Sequence, residues 1–362
     1  MDPHPAGRRT RSTLALLATT SALAASALLA PPAQAAKPTP GTSTGTAQVF
    51  MVNPVQSTGI ETLTDQNDAD KAVPDTAYAM VQLRNLDGSG YLRGAWVTVQ
   101  SATGTPAFSA TNTFVYSRHA DQFEQVMGYF WVNQAQEYLQ SLGFDEVRHP
   151  GILRQSLDLK IDQFGGDNSY QTDQPFRLRF GKGGVDDAED AEVIVHEYGH
   201  AVHQSQVPGF GASLQAGSIG EAWGDYFAVT VGLDAAEHYG WPVNAPEGCP
   251  MDWDATSYTP GPVHCIRSFQ SGLTVEDAIG EVHFDGQIWS QALWEIRKAY
   301  AGLGLGTRAW DTTLVLSQFD YAPDTSFDAA ATATYRVALA RDGAAAADAV
   351  RDAFAARGIT AG

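Results

Sequence analysis

Two histidines four residues apart, His196 and His200 in the stretch DAEDAEVIVHEYGHAVHQ, constrain this chain more than any other feature. In an α-helix four residues rise about 6 Å and turn about 40° past one revolution, so both imidazoles leave one face and can share a cation. Glu197 falls about 100° around the helix, beside such a cation rather than on it, which suits a base acting on metal-bound water. The helix itself is expected from local signals. Asp186 and Asp187 can cap its start, Glu189, Asp190 and Glu192 load the first turns with charge that suits the dipole, and Val193, Ile194, Val195, Ala201 and Val202 supply apolar packing. Gly199 costs about 1 kcal/mol in mid-helix, so another backbone is expected to pass close to it. The competing reading is a chance occurrence of the pattern on an ordinary core helix.

A catalytic zinc takes three protein ligands and keeps one position open. The downstream stretch GSIGEAWGDYFA offers Glu221, 21 residues after His200, and Asp225 one turn further on the same face. That interval leaves room for one helix to end near Pro208 and Gly209 and a second to pack against it. Glu221 is the expected third ligand, and Asp225 is placed to accept the spare N–H of a ligand histidine and fix its tautomer. The metzincin pattern would require Gly at 203 and His at 206, where this chain has His203 and Gln206.

HEYGH followed by GEAWGDYFA resembles the gluzincin zinc metallopeptidases, and with the later EVHFDGQIWSQALW it is most similar to the fungalysin family. The resemblance extends more weakly from about Ala47 to the C-terminal end. It implies an α+β, thermolysin-like zincin fold: a β-rich N-terminal part, the active-site helix and a mainly helical C-terminal part. It further implies a zinc endopeptidase with His196, His200 and Glu221 as ligands, Glu197 as base and Asp225 behind a ligand. Asn168 resembles the substrate-binding Asn of the family's N-A-F segment, although Asn-Ser also favours a plain turn. Arg267 in CIRSF resembles an arginine that contacts a substrate carbonyl, a surface ion pair being the alternative. His283, just before an apolar-striped helix, is placed as an oxyanion donor. The acid that thermolysin has five residues before this histidine is Ala278 here, with Asp277 next to it. Calcium bound by Asp186, Asp187, Glu189, Asp190 and Glu192 is a further expectation, set against helix capping and a solvated acidic face.

Length and charge bound the rest. With 362 residues, 44% of them hydrophobic, the chain can bury a large core, and a net charge of −19 argues against nucleic acid or an anionic membrane as partner. Arg8, Arg9 and Arg11 precede an apolar run from Leu14 to Ala30 and the small-residue site Ala33-Gln34-Ala35, which predicts a secretory signal peptide over 1–35, the alternative being an uncleaved anchor. Residues 36–46 form a Pro/Gly/Ser/Thr linker that leaves no room for the long propeptide usual in the family. Residues 47–205 are then a β-rich subdomain ending in the ligand helix, and 206–362 a mainly helical subdomain.

Within these, AQVFMV, AYAMVQL and GAWVTVQ read as strands, and PFRLRF as a strand along the cleft edge able to pair with an extended peptide. Asp121 to Leu142 reads as a packing helix opened by a capping box of Asp121 and Glu124 and stopped by Gly143. Cys249 and Cys265, the only cysteines, predict a disulfide in an exported protein. His119, His149, His203, His238 and His264 have structural or surface roles. The Ala-rich helices after Ala301 should form the far wall of the cleft. The expected partner is a polypeptide substrate, with no membrane contact after signal cleavage and a monomeric protein. The alternatives are an inactive secreted binding module on the same fold, or an exopeptidase, which would need a grip on a free chain terminus.

Overall fold

A computed structural model describes residues 43–362. The expected signal peptide over 1–35, and 36–42 of the linker, lie outside the described residues. Among those described, no helix is long and apolar enough to cross a membrane.

The architecture is α+β. The β-rich part contains β1 (Ser43–Phe50), a short α1 (Pro54–Thr58), β2 (Tyr78–Leu86), β3 (Val97–Ser101), β4 (Thr113–Phe114), α2 (Asp121–Leu142), β5 (Leu157–Ile161), β6 (Ser169–Asp173) and β7 (Phe176–Phe180). It is followed by α3 (Ala191–Gln206), α4 (Leu214–Tyr239), α5 (Val282–Gly302), α6 (Thr307–Gln318), α7 (Phe327–Asp342) and α8 (Ala344–Ala355). One sheet has the order β2-β1-β4; the other has the order β3-β5-β7-β6, with β6 antiparallel at one edge.

Three local expectations are corrected here. β1 opens at Ser43, inside the stretch read as linker, because its backbone pairs with β2 on one side and β4 on the other; ladder hydrogen bonds need no core-forming side chain. PFRLRF is not an edge: β7 is paired on both sides, by β5 and β6, and the free edge is the more polar β6, SYQTD. The helices α6 to α8 do not wall the cleft, whose lining residues go no further along the chain than His283. They pack behind α5 instead, where Trp289 lies 5.7 Å from Phe327 and 4.5 Å from Phe354 between ring centroids.

The helix starts also differ from the expected caps. Ala120 occupies the cap position of α2 with no side-chain hydrogen bond, and Asp121 instead accepts from Thr103. Asp190, not Asp186 or Asp187, caps α3, its Oδ1 accepting from Glu192 N–H at 2.9 Å. At the other end of α2, Gly143 does stop the helix with φ 111°, a conformation glycine adopts without steric cost.

The ligand helix α3 is held between α2 and α4. Gly199 explains the approach of α4: a Cβ there would sit 3.2 Å from Gly224 Cα, so the two backbones touch where a side chain would separate them. Trp223 Nε1 donates to the Gly199 carbonyl at 3.0 Å and locks the register of the pair. Deeper in, Asp311 of α6 accepts from Tyr138 of α2 at 2.5 Å, from Tyr226 of α4, and from Arg297 of α5 at 2.7 Å, so one buried carboxylate ties four helices together. Cys249 and Cys265 are joined in a disulfide, which closes the loop between α4 and α5 and is worth about 3 kcal/mol on the loop-entropy argument.

Candidate metal centre and cleft

The helical spacing does place both imidazoles on one face. His196 Nε2 and His200 Nε2 lie 3.0 Å apart. The Glu221 carboxylate, from α4, comes within 3.3 Å of the first and 3.5 Å of the second. Ligands about 2.1 Å from a tetrahedral ion lie about 3.4 Å from one another, so this triangle has the edges such an ion requires. The chemistry of the donors agrees. Asp225 Oδ1 sits 2.9 Å from His196 Nδ1, which holds the proton on Nδ1 and turns the Nε2 lone pair into the triangle. One oxygen of Glu221, Oε2, is sealed from solvent without a hydrogen-bond partner.

The electrostatics show how strongly this point seeks positive charge. Burial works against a charged His196, yet its bond to Asp225 and the negative charge of Glu221 close by carry its pKa up to about 10. His200 goes the other way: burial brings it down to about 4 and keeps its lone pair free. Burial opposes ionisation of Glu221 as well, but the two imidazoles and Arg267 hold it well below the usual carboxylate range. A proton or a divalent ion can meet that demand, and three convergent lone pairs favour the ion.

Glu197 is 7% exposed and faces the cleft, its Oε2 without a partner. Burial raises its pKa to about 7, a range suited to taking and returning a proton near neutrality. His283 is the second residue of α5, and its Nε2 points across the cleft to within 3.4 Å of Glu221. The group that orients it is Glu281, two residues earlier, which no motif in the sequence singles out. Glu281 Oε1 lies 2.6 Å from His283 Nδ1 while the same carboxylate caps α5 through the backbone N–H groups of His283 and Phe284. Asp277, the residue suggested by position, accepts from Thr274 instead.

Arg267 is neither a surface ion pair nor free to meet a substrate with all its donors. Its Nε and Nη2 each lie 2.5 Å from an Asp225 oxygen, a fork that completes a buried row His196–Asp225–Arg267. Asn168 lines the cleft immediately before the edge strand β6, its carbonyl accepting from Gly181 N–H at 3.1 Å. The cleft has a volume of about 500 Å³ and runs from the metal triangle to β6.

The acidic run does not converge on one ion. Glu189 pairs with Arg118 at 2.6 Å, Asp190 caps α3, and Glu192 accepts from Met251 N–H at 2.6 Å. Asp186 and Asp187 join two different groups of acids elsewhere. Nor is the run a solvated face, since Asp187, Glu189, Asp190 and Glu192 are all buried. Consecutive residues in an irregular lead-in point in different directions, and each finds its own neighbour. Of the remaining histidines, His203 is a packing ring 4.3 Å from Phe210, and His264 bonds Thr259 at 3.0 Å.

The profile of the fungalysin metallopeptidase family matches residues 180–303. That stretch is fungalysin-like. It holds every residue of the triangle and its supports, with Asn168 lying ahead of it. The chain is 29% identical over 119 residues to the probable extracellular metalloproteinase 4 of Trichophyton verrucosum, a match covering 30% of this chain and 17% of that protein. It is also 29% identical over 119 residues to extracellular metalloproteinase 1 of Arthroderma otae, covering 30% of this chain and 18% of that protein. The matched stretch thus spans less than a fifth of the length of these relatives. Among solved structures, the precursor of protealysin from Serratia proteamaculans superposes with a TM-score of 0.49 at 18% identity, covering 72% of this chain and 87% of that one.

Gly224 is a further residue that only the geometry reveals. A Cβ on it would stand 2.6 Å from His196 Nδ1. Gly224→Ala is therefore expected to push His196 off Asp225 and lower metal affinity at least about tenfold, a loss typical when the support behind a ligand is disturbed. Competition with a chelator of known affinity measures it, and unchanged affinity would mean that His196 has slack on that side.

Proposed function

We propose that this protein is a secreted zinc endopeptidase. The observation that carries the reading is the convergence of His196 Nε2, His200 Nε2 and the Glu221 carboxylate within 3.0 to 3.5 Å, with the unpartnered Glu197 oxygen beside them. Zinc held by these three groups would acidify a water and polarise a peptide carbonyl. The protein's own groups do the remainder. Glu197 Oε2 accepts the proton of the attacking water and later delivers it to the leaving amine. Asp225, itself braced by Arg267, keeps His196 in the tautomer that binds. His283, held at Nδ1 by Glu281, presents Nε2 across the cleft as the group that faces the oxyanion. The free edge of β6 offers backbone groups to an extended chain, and Asn168 stands at its start.

The endopeptidase reading rests on the strand edge in the cleft wall, since β6 can pair with the middle of an extended chain without gripping a terminus. The signal-like residues 1–35 and the extracellular relatives support secretion. The test is cleavage of unfolded casein by the purified chain. Cleavage is expected to stop with a chelator and return on adding zinc, with internal bonds among those cut. Zinc-loaded protein that cuts none of several unfolded substrates would overturn the reading in favour of a binding module.

A further inference from the structure

Glu124, Asp162 and Asp186 belong to the first turn of α2, the residue after β5 and the segment just ahead of the lead-in to α3. Each presents a carboxylate oxygen, and all three oxygens lie within 4.8 Å of one another. Glu124 is 2% exposed and Asp162 5%. Glu124 Oε2 is sealed from solvent and takes no hydrogen bond. Among the described residues, no lysine, arginine or histidine forms an ion pair with any of the three, whereas the neighbouring Glu189 has Arg118. Among the described residues the nearby hydroxyls, Ser101 Oγ at 3.2 Å and Thr103 Oγ1, serve Asp162 and leave Glu124 and Asp186 without a side-chain donor. Thr103 Oγ1 stands 2.5 Å from Asp162 Oδ2 and 2.9 Å from Asp121 Oδ2, but has one hydrogen for two carboxylates.

Buried carboxylates without a counter-charge are costly enough that proteins supply a partner or keep them protonated. Burial, reinforced by repulsion from Glu189 and other nearby carboxylates, pushes Asp186 up to about 8, and burial with repulsion from Asp186 and Asp162 pushes Glu124 well above the ordinary carboxyl range. Glu124 and Asp162 are buried and Asp186 is half-buried, so the site is short of positive charge and has room only for a compact partner.

We propose that Glu124, Asp162 and Asp186 bind a calcium ion, in a site separate from the His196–His200–Glu221 triangle. The donors are all oxygens, which selects a hard cation, and ligands on opposite sides of calcium lie about 4.8 Å apart. Calcium also tolerates the irregular geometry of three unrelated segments, where magnesium demands a near-octahedral cage. The ion ties α2 and β5 to the chain entering α3, ten residues before His196.

The zinc-loaded full chain is titrated with calcium and, separately, with magnesium, followed by calorimetry and thermal unfolding. Calcium at about a hundredfold excess over its Kd is expected to raise the unfolding temperature by about 5 °C, and magnesium by less. The variant Glu124→Gln/Asp186→Asn should bind one calcium equivalent fewer. It should also unfold above the wild type without calcium, because the repulsion is gone, and below it with calcium. Asp186→Asn alone serves the same comparison if the double variant does not fold. Wild-type protein that binds no calcium, a variant that binds as many equivalents, an unchanged order of stabilities, or a larger response to magnesium would each overturn the proposal. None of these readings involves proteolysis, so they stand or fall separately from the peptidase reading.

Discussion

Replacing Glu197 by Gln is expected to lower kcat/KM on an unfolded protein substrate by about three orders of magnitude while leaving bound zinc at one equivalent. The amide keeps the size and place of the carboxylate but cannot take a proton, and a positioned base contributes about 10² to 10⁴. Glu197 is not one of the three groups whose lone pairs form the triangle, so the metal should stay. The buried, unpartnered Oε2 is the atom this substitution disables. The two readouts separate causes: activity lost together with zinc would mean that the residue holds the site together, and full activity with zinc bound would remove it from the chemistry.

The second large effect is expected at Asp225, where substitution by Asn should weaken zinc binding about 10- to 100-fold and cost about 3 kcal/mol or more of stability. The carboxylate serves two donors at once, His196 Nδ1 at 2.9 Å and the Arg267 fork at 2.5 Å. An amide offers one acceptor and one donor, so either the imidazole or the guanidinium meets an N–H. Arg267, at 10% side-chain exposure, would keep its charge with less to offset it. Chelator competition measures the first effect and denaturant unfolding the second. A stability loss with unchanged zinc affinity would make Asp225 a packing residue only.

How much of this was legible beforehand depends on the range of each signal. His196 and His200 share a face because a helix repeats every 3.6 residues, and Glu221 and Asp225 do so for the same reason on α4. Gly199 announced a close neighbour because no other need explains it in mid-helix, and Gly224 Cα is that neighbour. The partner of Arg267 was not legible: Asp225 stands 42 residues away, and only the loop fold after α4 brings them together. The role of Glu281 was not legible either: a position five residues before His283 carries no acid, and only the folded helix start lets a carboxylate two residues before it cap α5 and reach the imidazole together. The composition of PFRLRF marks a strand but not its place in the sheet, which is set by pairing with β5 and β6.

By itself the sequence determined the ligand helix, the paired positions on α3 and α4, the stop at Gly143 and the pairing of its two cysteines. These follow from periodicity, from glycine's access to positive φ, and from having one possible disulfide partner. Only the tertiary structure decided that Arg267 braces Asp225, that β6 is the cleft edge, and that the buried Glu124 and Asp162 meet the half-buried Asp186. Those outcomes depend on which distant segments pack together, and burial gives a charge its partner only after the chain has closed around it.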